Sequence, residues 1–225
     1  MNTSSRKKDL FVYAKTLSIT DPSGQIQSAG IALVVKSLLG TSPISSLPYV
    51  LSLILPFTFG QTTFAVNMLF VVFELLMLRR NFPAVFWLQI PVTIVFGLCI
   101  DFFMALFTIV PEAYPLKIAL CIIGTALVAL GVAGQGVADV LMLAGEGAVY
   151  TFAHQFHIDF GKVKVGNDVS LVIIAAIVSL ASLGTIEGIR EGTLLSALLT
   201  GIFARFFLRH LSRIDAHGRI YLSLH

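Results

Sequence analysis

The sequence predicts an all-α fold: a polytopic membrane helix bundle with six net crossings, arranged as two inverted three-crossing repeats with interrupted helices. Three observations carry this expectation. The 225 residues are 56% hydrophobic and only 12% charged, with a mean hydropathy of +0.91, whereas a soluble domain carries about twice that charge. Apolar residues gather in runs close to the ~20 that a spanning helix needs. The same order of breaks and turns also occurs twice along the chain.

Residues 1–24 lack the apolar core of a secretory signal and are expected to form a retained, basic cytoplasmic arm. The first apolar region, Ala29 to Phe57, is too long for one straight crossing and short for two. It is interrupted by "LLGTSPISSLPYV", Leu38 to Val50, which sets a Gly, hydroxyls and a Pro in succession. Spanning helices follow at Thr62–Leu78, Ala84–Val110 and Ile118–Ala138. A second interruption, "MLAGEGAVYTFAHQF" from Met142 to Phe156, adds a short helix, and Val169–Gly184 and Thr193–Leu208 complete the set before a basic tail at 210–225.

Cytoplasmic loops collect Lys and Arg, and this sets the parity. If each interrupted region makes one net crossing and both termini lie in the cytoplasm, twelve of the fifteen Lys and Arg residues fall inside, including Arg79, Arg80, Lys162 and Lys164. Lys117 and Arg190 fall outside, and Lys36 sits in the first apolar region. Counting each short helix as a full crossing would move Arg79 and Arg80 outside.

The repeat units span 25–111 and 112–209. Each holds a helix, a Gly-containing break (Gly40, Gly145), a short helix, a Phe-Gly turn (Phe59-Gly60, Phe160-Gly161) and a closing Gly-bearing helix (Gly97, Gly201), at offsets of 105, 101 and 104. Three crossings per unit make the second inverted relative to the first, an arrangement that recurs in transporters with ligand sites at the repeat interface. Close helix packing alone would also use these glycines.

A break in hydrocarbon frees backbone groups that protein, water or ligand must satisfy. A short helix starting at Pro43 suits the first break, with Ser42 as its cap, and helix starts attract anionic groups. Glu146 stands in the second break where Thr41 stands in the first. Gly40, Thr41, Ser42, Asp139, Gly145 and Glu146 are therefore the candidate substrate-binding residues, lining a partly acidic cavity suited to a zwitterion or cation. Glu146 as a cap of its own helix fits the same residues. Asp101 is either cavity lining or interfacial, and Glu74 leans toward Arg79 in a structural role. Lys36 neutralises a carboxylate, meets a substrate acid or snorkels.

"GTIEGIREGT", Gly184 to Thr193, places Glu187, Arg190 and Glu191 close together. A helical start there makes a charged gate; a solvated loop with an ion pair is the plainer alternative. His154, His157 and Asp159 lie near one helix end, but without a second acidic or thiolate cluster no metal site is expected. Cys99 and Cys121 lie in apolar runs and suggest neither a disulfide framework nor a thiolate site. No cofactor is expected. Small residues in "GTALVALGVAG", among them Gly124, Ala126 and Gly131, fit packing within the bundle or in a homodimer.

The segments "GIALVVKSLLGTSPISSLPYVLS", "LQIPVTIVFGLCIDFFM" and "GTLLSALLTGIFARFF" resemble the YczE/YitT-type family of small bacterial multipass membrane proteins, over about Gly30 to Phe207. That resemblance implies a bacterial inner-membrane location and brings no substrate or catalytic residue. The polar "TDPSGQIQSAG" departs from the family's first helix.

The leading expectation is a secondary transporter or permease for a small polar metabolite, with small-molecule substrate and membrane lipids as partners. The alternative is a non-transporting membrane partner, a substrate-capture subunit or assembly factor, docked through the basic arm and tail. An enzyme is not expected, since paired-His metalloprotease, Ser/Lys and phosphate-loop motifs are missing. Nucleic acid is not expected either, because the basic residues mark segment ends and form no stripe.

Overall fold

A computed structural model describes residues 22–79, 82, 84–138 and 142–214. All regular structure among them is helical. Eight α-helices follow in order: α1 Pro22–Lys36, α2 Pro43–Ile54, α3 Phe59–Leu78, α4 Gln89–Leu106, α5 Tyr114–Ala138, α6 Ala144–Phe156, α7 Phe160–Leu183 and α8 Glu191–Ile214, with a 3-10 turn at Ala84–Leu88 leading into α4.

Five stretches are long and apolar enough to cross a membrane: Phe59–Leu78, Phe86–Leu106, Tyr114–Gln135, Phe160–Leu183 and Glu191–Leu211. Their surfaces agree with their composition. Leu194, Leu198, Ile202 and Phe206 form an exposed i, i+4 stripe on α8, and Ile173, Ile177 and Leu180 are exposed on α7. Apolar faces of that extent belong in lipid. The chain is a multi-pass membrane protein.

The centre of the bundle is α1, whose Gln27, Ser28 and the whole run from Gly30 to Val35 are buried. It packs on α5 and α4, and α5 in turn packs on α8. Small residues make the first contact possible. A Cβ on Gly30 would lie 2.6 Å from the Gly124 carbonyl, and one on Gly124 would lie 2.8 Å from the Gly30 carbonyl. Gly131 meets Gln27 in the same way, and Gln135 donates to the Gln27 side-chain oxygen at 3.0 Å. As α1 numbers fall, α5 numbers rise, so the two helices run antiparallel. Gly124 and Gly131 thus face α1 inside the bundle. Around this pair Ile31, Val35, Phe59, Phe96, Ile100, Val128 and Leu143 form the main core cluster.

Local chemistry sets the helix starts. Pro43 opens α2 with Ser42 at the N-cap position, but the Ser42 hydroxyl donates to Ser45 Oγ at 2.9 Å and caps no backbone amide. The expected Phe-Gly turns are instead the first helical residues of α3 and α7. Thr58 and Gln61 cap α3 reciprocally, and Asp159 caps α7. This starts α7 at Phe160, nine residues before the Val169 expected from hydropathy, because the polar first turns carry Lys162, Lys164 and Asp168. The segment expected to run straight from Ala84 to Val110 is divided, with the α-helix confined to Gln89–Leu106.

The glycines paired by the repeat, Gly97 and Gly201, have different surroundings. Gly97 meets the backbone of Gly60, whereas a Cβ on Gly201 would find no neighbour within 4 Å. Asp101 stands beside the Gly60–Gly97 contact and accepts from the Thr58 hydroxyl at 2.6 Å and the Gly60 amide at 2.7 Å, tying α4 to the start of α3. Gly97→Val is therefore expected to destabilise the protein by about 1–3 kcal/mol through overpacking. Gly201→Val should change stability by less than about 0.5 kcal/mol. Thermal unfolding of both variants in the same detergent checks the contrast.

Candidate functional site

The two short helices meet at their N-terminal ends. Ile44, in the first turn of α2, lies against Gly145 in the first turn of α6, where a Cβ would come within 2.8 Å of its Cδ1. Beside this contact is a cavity of about 20 Å³, lined by Gln27 of α1, Ser45 of α2, Thr63 and Asn67 of α3, and Glu146 of α6, with Phe70 and Phe96 among its apolar walls. That volume holds roughly one water.

Glu146 is almost completely buried. The Gln27 side-chain amide reaches its carboxyl group, and Lys164 and Asp168 of α7 lie within electrostatic reach. Those two also pair with each other at 3.0 Å. The Gln135–Gln27–Glu146 chain is thus a polar thread through the α1–α5 contact into the cavity. Asn67 accepts the Gly145 amide at 3.2 Å, so one of the free first-turn donors of α6 is engaged by α3. Gly145 gives α2 its close approach.

Of the first-break residues, Gly40, Thr41 and Ser42 face elsewhere. The Thr41 amide donates to the Gly188 carbonyl at 2.9 Å, its hydroxyl donates to the same carbonyl at 3.1 Å, and that hydroxyl also bonds with Ser46. In return the Gly192 amide donates to the Leu39 carbonyl at 2.8 Å. Thr193 Oγ1 accepts from the amides of both Thr41 and Arg190 at 3.3 Å. Gly40 has φ +117°, and a Cβ there would lie 2.5 Å from Thr193 Oγ1. Both its backbone conformation and its neighbours require glycine. The α7–α8 connection is therefore a strap across the first break, and Gly188 rests on the ring of Tyr49 in α2.

The strap also carries the three charges expected to form a gate. Helix begins only at Glu191, so Glu187 stays in the loop, its amide held by Ser179 Oγ at 2.8 Å. Arg190 pairs with its neighbour Glu191 at 3.6 Å, both half-exposed, and does not bridge the two glutamates. Asp139 lies outside the described residues. His154, His157 and Asp159 do not converge: Asp159 caps α7, His157 ends α6 with a positive φ, and His154 stacks on Tyr150. Among the described residues no three His, Cys, Asp or Glu side chains come together to hold a metal. Lys36 is half-buried and forms no salt bridge with a described residue.

Glu74 is the largest departure from expectation. It does not lean toward Arg79; it is fully buried against Gln89 of α4 and Gly147 of α6. Gln27, Asn67 and Gln89 were likewise passed over in the sequence. Their signal was faint: single amides in apolar helices, with nothing in their spacing to show that they converge.

A family model described as a family of unknown function, DUF6198, matches residues 23–209. The chain belongs to that family. No curated protein and no solved structure matches the chain. The DUF6198 match runs through all eight helices of the described residues and so takes in the cavity, the strap and both breaks.

Thr193→Val removes the acceptor of the part-buried Arg190 amide and the second acceptor of the Thr41 amide, which keeps its bond to Gly188, while the side-chain shape is retained. A donor left without a partner costs about 1–3 kcal/mol. Thr193→Val is expected to lower the unfolding midpoint clearly, and Thr193→Ser to retain most of the wild-type value. Thermal unfolding of the purified variants checks this.

Proposed function

We propose that this DUF6198 protein is a secondary transporter or permease for a small polar metabolite, with Glu146 as the ionisable group of its substrate cavity. One observation carries the proposal: two interrupted helices bring their N-terminal ends together around a buried carboxylate that three amide side chains surround or reach. Buried carboxylates in membrane helices mark ion or substrate pathways more often than structural sites.

The packing supports an inverted duplication. Exchanging α1–α4 with α5–α8 turns the α2–α7 contact into α6–α3, α1–α4 into α5–α8, and α2–α3 into α6–α7, all of which occur. The antiparallel α1–α5 pair maps onto itself. The α3–α4 contact has no comparably packed counterpart in α7 and α8. On this account each broken pair makes one net crossing, the total is six, and both termini lie in the cytoplasm of a bacterial inner membrane. The resemblance to the YczE/YitT-type family implies the inner-membrane location alone and bears on neither the crossing number nor the termini. Rocking of the repeats about α2 and α6 would open the cavity, with the Gly184–Thr193 strap, including Glu187, Arg190 and Glu191, following α2.

One observation favours the second reading, a non-transporting membrane partner such as a substrate-capture subunit or assembly factor. The cavity in this conformation has room for a water and not for a metabolite.

Two experiments decide between these. A thermal-shift screen of polar metabolites, followed by liposome flux of any hit, is expected to show transport that falls at least tenfold in Glu146→Gln while the fold is kept. Equal ligand stabilisation and equal flux in wild type and variant would remove Glu146 from the site. For topology, cysteines at Ala113 and Ile186 should react with an impermeant reagent from outside, and one at His157 only after permeabilisation. The reverse pattern would contradict the six-crossing arrangement.

A further inference from the structure

Apart from Glu146, one buried carboxylate in the bundle core has no role in the proposed cavity. Glu74 of α3 is fully buried, and neither of its oxygens forms a hydrogen bond of good geometry with a described residue. Gln89 of α4 is almost as deeply buried, and its Oε1 also lacks a partner. The two polar ends occupy one place. A Cβ on Gly147 of α6 would lie 2.5 Å from Glu74 Oε1 and 3.0 Å from Gln89 Nε2.

The donor inventory leaves one proton missing. An ionised carboxylate only accepts, so it can take a bond from Gln89 Nε2 but offers nothing to Gln89 Oε1. One proton on Glu74 supplies that donor, and the two side chains can then bond reciprocally, O–H to Oε1 and Nε2–H to the second carboxyl oxygen. The proton also removes a charge that would otherwise stand unpaired in a membrane interior. No described Lys, Arg or His forms a salt bridge with Glu74. A hard metal cation would need about six oxygen ligands, and the two side chains offer three oxygens.

The other ionisable groups on the helices packed against α3 are engaged or turned away. Tyr49 of α2 packs on Phe59 and Gly188. On α4, Asp101 binds Thr58 and Gly60, and Cys99 is half-buried. On α6, Tyr150 and His154 are exposed and stacked together, and Glu146 lines the cavity.

We infer that Glu74 and Gln89 form a proton-binding site, a carboxyl–carboxamide pair closed by Gly147. Because Gly147 directly follows Glu146, displacement of α6 from α3 would uncover the pair beside the cavity and let its proton exchange. As the coupling site of a proton-driven cycle this rests on the transport proposed above; as a proton site it does not.

Infrared spectroscopy of the full-length protein in lipid nanodiscs at neutral pH tests it without any substrate. The wild type is expected to show the carbonyl stretch of a protonated carboxylic acid that Glu74→Gln loses and Glu146→Gln retains. Gln89→Leu should move that band to higher frequency, since the carboxyl loses its amide partner. Spectra of wild type and Glu74→Gln that coincide in the protonated-carboxyl region would show Glu74 to be ionised and overturn the inference. Should Glu74→Gln fail to fold, the Gln89→Leu shift carries the test, and an unmoved spectrum overturns it. A missing band would leave flux through the Glu146 cavity standing. A band without flux for any ligand would remove transport and leave the proton site.

Discussion

A helix broken inside hydrocarbon must find partners for the backbone groups it frees, because no solvent is at hand to take them. In this protein the first break finds them at the far end of the sequence. Gly188 accepts the Thr41 amide, Leu39 accepts the Gly192 amide, and the Thr193 hydroxyl accepts from the Arg190 amide and, as a second acceptor, from the Thr41 amide. The exchange is reciprocal, so the break and the last connection fix each other. It positions α2, and through α2 it sets the place where Ile44 meets the start of α6. Much of the site geometry therefore descends from a few backbone hydrogen bonds between segments about 150 residues apart, as in the 152-residue separation of Thr41 and Thr193.

The second break is satisfied differently. Side chains from α3 and α1 serve it: Asn67 takes the Gly145 amide, and Gln27 reaches Glu146. A backbone strap holds one short helix and a set of amide side chains holds the other. Side-chain contacts at membrane depth are individually weak, on the order of 0.6 kcal/mol where measured in one such protein. The α6 end is thus the looser of the two. It is also the end that carries both Glu146 and the glycine that closes over Glu74.

The sequence showed where helices begin to fail, and less of what they meet. Hydropathy located five spanning stretches, since lipid-facing helices must be apolar along their whole length. Pro43 marked the start of α2 because proline suits a first helical turn. Gly40 and Glu146 stood out as breaks in greasy runs. The partners of those breaks were not legible. Nothing in "GTIEGIREGT" indicates that its backbone crosses the bundle to Leu39 and Thr41; its charges drew attention, while its glycines and Thr193 make the contacts. The burial of Glu74 is hidden in the sequence for a related reason. Five residues before Arg79 it looked like an interfacial acid, but the side chain turns to the face that α4 and α6 cover.

Backbone amide exchange in the wild-type protein tests the strap most directly. If Thr41 and Gly192 are donors in one closed structure, their amides should exchange slowly and at the same rate, since a single opening of strap from break exposes both. Exchange as fast as in an unprotected loop at either position, or rates that differ widely between the two, would contradict the central claim that the last connection satisfies the first break.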